Sequence, residues 1–201
     1  MQSFDVTGFV ELSKDFWHML STHKSKGGPS MVTHYTVLTL LFTVVFAFLY
    51  MWTYFLWDSV LFRSKNSAFQ TLDKAKKLEY VARLTSSLHA VIVTFTSTIG
   101  CFYMCDDTSK TIFTSMECFS TPKMYHAYTI AITTGYLAFD FILSACVLKD
   151  FTSLGLQTLF HHITSGTGFF LASIVDHQSA FLILCMANQH TEISAPFMHL
   201  R

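Results

Sequence analysis

The chain has 201 residues, of which 51% are hydrophobic and only 13% charged, with 21 Phe and a mean hydropathy of +0.41. That composition excludes an ordinary soluble domain and points to a membrane protein. Thirteen basic residues balance thirteen acidic ones, so the chain lacks the basic footprint of a nucleic-acid binder, and that class is set aside.

Residues 1–30 differ in character from the rest of the chain. No basic segment precedes a short apolar core, so they do not read as a secretory signal peptide. Phe9, Leu12, Phe16 and Leu20 recur at helical spacing. Residues 6–20 are thus either an amphipathic helix on the membrane surface or a loosely ordered terminus. Gly27-Gly28-Pro29 reads as a turn into the first span.

Five runs then reach the roughly 20 mainly apolar residues that cross a bilayer. The first, 35–57, is uncharged and ends in Tyr50, Trp52, Tyr54 and Trp57, which suit an interfacial belt. The second, 84–105, is interrupted by His89, and the third, 124–148, carries one acid, Asp140. The fourth lies within 151–175, a stretch free of Lys, Arg, Asp and Glu that contains His161 and His162. Its expected start is near Leu156, because Lys149, Asp150 and Gly155 mark a short connection. The fifth, 179–200, contains Glu192 and Pro196. The expected architecture is an all-α, multipass transmembrane bundle of five spans occupying 31–201.

The five cysteines form no CxxC pair, which argues against a zinc ribbon or a disulfide scaffold. Cys101, Cys146 and Cys185 sit in apolar runs as small hydrophobes. Cys105 and Cys118 bracket one polar loop and are able to pair if that loop faces an oxidising lumen. Basic residues set the orientation. Arg63, Lys65, Lys74, Lys76, Lys77 and Arg83 crowd the 61–83 connection, whereas 106–123 holds only Lys110 and Lys123. By the positive-inside rule the former is cytoplasmic, and the N-terminus and the 106–123 loop are lumenal; Lys14, Lys24 and Lys26 pull the other way.

Counting helical rise from each cytoplasmic end puts His89, Asp140, His161 and Glu192 at a similar depth, about 8–13 Å in. Each belongs to a polar or small stripe at helical spacing: Ser86, His89, Thr96 and Gly100; Thr129, Thr133, Tyr136, Asp140 and Ser144; Thr158, His161 and Ser165; Cys185, Asn188, Glu192 and His199. Ionisable residues at membrane depth are costly and face a bundle interior or a cavity. One cytosol-facing polar cavity accounts for all four stripes. Adjacent histidines point about 100° apart on a helix, so both line it only from its edges, or one packs against a neighbouring helix.

Four motifs in chain order, Arg83-x-x-Ser86-x-x-His89, Gly135-Tyr136-x-x-x-Asp140, His161-His162 and Glu192-x-Ser194-x-Pro196-Phe197, resemble the TLC-domain family. That family groups translocation-associated TRAM proteins, Lag-type ceramide synthases and related endoplasmic-reticulum proteins. The resemblance covers roughly 35–201 and implies a multipass helical bundle of the endoplasmic reticulum membrane that handles sphingolipid precursors or phospholipids. Ceramide synthases follow the histidine pair with a Ser-Tyr-x-x-Asn element and supply two aspartates from the next span. Here the pair continues Ile163-Thr164-Ser165-Gly166-Thr167-Gly168, and the next span has Asn188 and Glu192. The pattern is thus nearer the non-synthase TLC proteins. Family members typically continue beyond the last motif, so the domain is expected to be incomplete at its C-terminus.

The expected function is lipid homeostasis, by binding or sensing a lipid in the cavity lined by Arg83, Ser86, His89, Tyr136, Asp140, Asn188 and Glu192. The alternative is an N-acyltransferase using acyl-CoA and a sphingoid base, with His161 and His162 as catalytic candidates. A neutral imidazole accepts a proton from an amine or attacks an acyl-thioester, and Asp140 or Glu192 would orient it. The bland reading makes the imidazoles interhelical glue worth about 1 kcal/mol each. His89, His161, His162 and Asp140 have metal-ligand chemistry, but adjacent histidines chelate poorly together, so no metal and no cofactor is expected. A cargo receptor would carry sorting signals, and no C-terminal dilysine or KDEL motif is visible. Expected partners are membrane lipids, with homo- or hetero-dimerisation left open.

Overall fold

A computed structural model describes residue 14 and residues 29–61, 68–174 and 179–194. The expected amphipathic stretch apart from Lys14, as well as Arg63, Lys65, Pro196, Phe197 and His199, lies outside the described residues. Among the described residues every regular element is helical. Helix α1, Pro29–Phe55, starts with proline at its first position, where the missing N–H would have no helical partner anyway. It continues as a π-helical turn, Leu56–Leu61. One face, Leu40, Leu41, Val44, Phe48 and Trp52, is exposed, whereas Tyr35, Phe46 and Tyr50 turn inward.

Helix α2 runs Lys74–Tyr103, ten residues earlier than the hydropathy of 84–105 suggested. Asp73 caps it by accepting the Lys76 N–H at 2.9 Å. The charged first turns are helical but not apolar, which is why a hydropathy reading misses them. Lys77 then ties α2 to the end of α1, with Nζ 2.8 Å from Asp58 Oδ1 and 2.9 Å from Gln70 Oε1.

A short helix α3, Met116–Ser120, sits in the following loop, and Cys105 and Cys118 are joined as a disulfide across it. Helix α4 is Met124–Ile142, extended by a π-helical turn, Leu143–Leu148. Lys149 ends it in the left-handed conformation, at φ 52 and ψ 42. Helix α5 is Ser153–Ile174, and α6 is Ser179–Asn188, passing into a 3-10 segment, Gln189–Ser194.

Helix α4 is the hub. It packs on α1, α2, α5 and α6, and these close a ring around it in the order α1, α2, α6, α5. Small residues allow the close approaches, as is usual where helices associate in a membrane. A Cβ on Gly135 would lie 2.5 Å from Phe42 Cβ and 2.9 Å from the Thr39 carbonyl oxygen. In that contact Thr43 donates to the Gly135 carbonyl at 3.1 Å, and Tyr35 and Thr134 share a hydrogen bond of 2.9 Å.

Among the described residues, three helical segments are long and apolar enough to cross a membrane: Val32–Ser59, Lys74–Tyr103 and Met124–Leu148. The fourth and fifth expected spans, within 151–175 and 179–200, are not among them. Helix α5 has 22 residues, a length of about 33 Å by helical rise. Gln157, His161, His162 and the run 164–168 nonetheless dilute its apolar character. Helix α6 has only 10 α-helical residues before its geometry changes.

Candidate functional site

The interior between α2, α4, α5 and the 3-10 segment is polar. His89, at mid-α2, is 1% exposed; its ring stacks on Tyr136 of α4 with centroids 3.8 Å apart and planes 12° from parallel. Phe46 of α1 meets the His89 ring edge-on at 5.7 Å. Ser86, one turn before His89, lies within hydrogen-bonding range of the Tyr136 hydroxyl, and the charged groups acting on that phenol are Asp140 and Glu192. One turn along α4, Asp140 Oδ2 lies 2.7 Å from Nε2 of buried His162 on α5. That is ion-pair distance, yet neither nitrogen of His162 makes a hydrogen bond, so the contact is electrostatic and off the N–H direction. His89 and His162 are close enough to act on each other electrostatically.

Both ring nitrogens of His89, both of His162 and Oε1 of Gln189 are buried without a hydrogen-bond partner. An atom with neither a hydrogen bond nor a charge partner costs about 1–3 kcal/mol, and all but His162 Nε2, which meets Asp140, are in that position, so the region asks for a polar ligand. His126 shows what a structural histidine looks like in this fold. The Lys123 N–H donates to its Nδ1 at 2.7 Å, which leaves Nε2 to carry the proton and donate to the Gly100 carbonyl at 3.2 Å. His126 is 1% exposed and satisfied at both nitrogens; His89, equally buried, and His162, 9% exposed, make no hydrogen bond.

Of the residues singled out from sequence, Ser86, His89, Tyr136, Asp140 and His162 are brought together, with half-buried Glu192 beside them. The histidine pair is split. His161 is exposed on the outer side of α5, its Nδ1 3.4 Å from Ser165 Oγ. Arg83 is also exposed, paired with Glu79 at 2.5 Å on its own helix. Asn188 is exposed in a cleft between α5 and α6 lined by Ser165, Gly168, Phe169, Phe181 and Leu184.

Sequence reasoning missed Gln189, which is 2% exposed and donates from Nε2 to Thr133 Oγ1 at 2.8 Å. The fifth stripe assumed α-helical geometry through 192. Gln189 lies one turn beyond buried Cys185 and Met186 and shares their inward face, whereas Asn188 lies one turn beyond exposed Leu184 and faces outward. The i, i+3, i+4, i+7 spacing of Leu182, Cys185, Met186 and Gln189 is the signal that would have found it.

Among the described residues, no three His, Cys, Asp or Glu side chains are grouped to hold a metal ion. The set His89, His161, His162 and Asp140 is not assembled, because His161 faces outward. No protein-family model, curated protein or solved structure matches the chain.

Proposed function

We propose that this chain is a multipass protein of the endoplasmic reticulum membrane, of the TLC-domain type, that binds or senses a lipid through the polar pocket around His89, Asp140 and His162. The observation that carries the reading is the set of buried ring nitrogens on His89 and His162 that make no hydrogen bond, one of them against the Asp140 carboxylate, inside a bundle with three membrane-length helices. In lipid, buried polar groups without partners are retained where they meet a ligand or a pathway. In this reading α5 and α6 also lie within the bilayer, the pocket opens toward the cytoplasmic leaflet, and the 61–83 connection is cytosolic. The Cys105–Cys118 disulfide at the opposite end of α2 supports that orientation, since disulfides persist on the oxidising side of a membrane.

A second reading, N-acyl transfer from acyl-CoA to a sphingoid base, is favoured by one observation, the 2.7 Å approach of Asp140 to His162. A carboxylate beside one ring nitrogen orients the imidazole and leaves the other nitrogen to meet a substrate proton. The two readings separate on His162, because only proton transfer needs a titrating nitrogen. Purified protein given acyl-CoA and a sphingoid base is expected to form no ceramide. A photoactivatable lipid incubated with microsomes is expected to label the protein, with about tenfold lower yield in His162→Gln and His89→Gln. Ceramide made by the unmutated protein and lost in His162→Gln would establish the second reading instead. Equal labelling of all three proteins would overturn the pocket.

A further inference from the structure

Helix α5 presents two different faces. Gly155, Leu159 and His162 turn inward. On the outer side Leu154, Gln157, His161, Thr164, Gly168 and Leu171 recur at intervals of three, four, three, four and three residues, and all but half-buried Gly168 are exposed. Residues 3.5 apart on average stay in line on a helix that wraps left-handed around another. This seam is about 26 Å long by helical rise, close to the thickness of a hydrocarbon core.

The middle of the seam is polar. The Gln157 amide finds no partner among the described residues. His161 meets only its own helix in hydrogen bonding, with Nδ1 3.4 Å from Ser165 Oγ, and Thr164 donates back to the Phe160 carbonyl at 2.9 Å. An amide and an imidazole in hydrocarbon have no water to turn to, and such groups on spanning helices face protein or a wet cavity rather than lipid tails. Helix α1 is the contrast. Its exposed line from Val37 through Leu41, Val44, Phe48 and Met51 to Phe55 keeps the same alternation of threes and fours but is apolar throughout, so lipid alone satisfies it. The α5 seam needs a cover that brings hydrogen-bonding groups to the same depth.

A second copy of the chain meets that need. Copies inserted in one direction are related by a two-fold axis along the membrane normal, so each seam residue meets its own counterpart at its own depth. Glutamine and neutral histidine each carry a donor and an acceptor, so Gln157 and His161 are complementary to themselves across the axis. The seam holds no Lys, Arg, Asp or Glu, and pairing it brings no charge into the bilayer. Leu154 and Leu171 give apolar contact at its two ends, and a Cβ on Gly168 would meet nothing within 4 Å, so a facing side chain has room there. Polar residues within such a repeat fix the register of the pair.

Resting on the placement of α5 within the bilayer, we propose that the outer face of α5 is an interface with a second copy of this chain, a parallel helix pair with Gln157 against Gln157 and His161 against His161. His162 faces Asp140 of α4, so pairing leaves the polar pocket as it stands.

The test uses the full chain in microsomes with Cys146→Ser, which removes the exposed free thiol, and single cysteines introduced along α5. Oxidation by copper-phenanthroline is expected to convert Gln157→Cys, His161→Cys and Thr164→Cys to a disulfide-linked product of twice the monomer mass. Phe160→Cys and Ile163→Cys, exposed but off the line, should stay monomeric. A second measurement leaves the seam intact: two differently tagged forms of the unmutated chain, coexpressed, are expected to co-purify in mild detergent. The double variant Gln157→Leu, His161→Leu, still compatible with lipid, should lose that co-purification, and His162→Gln should keep it. Absence of the dimer product at all three seam positions, or co-purification that survives the double variant, would overturn the interface. A crosslinked product of any other mass would overturn the second copy in favour of a different membrane protein. An impermeant maleimide, applied to opened microsomes, separates this result from failure of the bilayer placement. If it modifies Thr164→Cys, α5 lies in water and placement and interface fall together; if Thr164→Cys is protected and no dimer forms, the interface falls alone and the lipid pocket stands.

Discussion

At the scale of single residues, the informative contrast is among buried histidines. His126 completes both of its hydrogen bonds to backbone and holds the start of α4 against α2, so it is a structural residue. His89 and His162 complete none. Burial alone would have ranked the three together; only the bookkeeping of donors and acceptors separates them. A different residue-scale effect operates at Asp73. The backbone N–H of Lys76 holds its carboxyl below the usual aspartate range, with the Lys76 side chain adding to it. A lowered acid stabilises the helix start above the ordinary aspartate pKa, and that contribution is lost as the pH falls through the folded-state value. Asp73→Ala should therefore speed amide exchange in the first turn of α2 at neutral pH and make no difference in strong acid. Asp73→Ser, which keeps a capping oxygen, should restore most of the protection. Equal exchange in Asp73→Ala and the unmutated chain at neutral pH would mean the cap is inert.

At the scale of elements, the contact between α1 and α4 depends on a residue with no side chain. A methyl group on Gly135 would sit 2.5 Å from Phe42 Cβ and 2.9 Å from the Thr39 carbonyl oxygen, neither of which is the far end of a flexible side chain. The helices would have to separate, and overpacking of this kind costs about 1–3 kcal/mol. Gly135→Ala should lower the thermal midpoint of the detergent-solubilised protein. Gly168→Ala, where an added Cβ meets nothing within 4 Å, is the matched control and should leave it unchanged. Similar midpoints for the two variants would show that α1 packs elsewhere. Element ends are decided by equally local chemistry. Lys149 takes the left-handed conformation that closes the π-helical turn of α4, its N–H reaching the Ser144 carbonyl, and reverses the chain toward α5.

For the whole molecule, the testable property is sidedness. The disulfide and the basic 61–83 connection lie at opposite ends of α2. If the disulfide end is lumenal, only Cys101, Cys146 and Cys185 react with a maleimide-polyethylene glycol reagent in denaturant, and all five cysteines react after reduction. A glycosylation acceptor placed near Ser109 should be modified, and one near Ser67 should not. Five reactive thiols before reduction together with a glycan near Ser67 would invert the topology. Inversion would put the pocket toward the other leaflet while leaving its geometry intact.

The composition and the lengths of the apolar runs determined that this is a helical membrane protein, because backbone groups in hydrocarbon have to be satisfied within a segment and about 20 apolar residues suffice to span. The same reading placed Met124–Leu148 at the bounds the structure has, and the helical stripes put Ser86, His89, Tyr136 and Asp140 on inward faces, since 3.6-residue periodicity is a local property. Hydropathy does not register a charged helical turn, so the start of α2 at Lys74 had to come from the Asp73 cap and the Lys77 contacts. Which of two adjacent histidines turns inward depends on the rotation of α5 against α4, a packing choice that nothing within α5 specifies. On the last helix Gln189, one turn beyond Cys185 and Met186, is the buried amide, and Asn188 is exposed. Tertiary structure alone brought His162 to Asp140 and left the polar seam of α5 uncovered, because both depend on how two helices meet rather than on what either one contains.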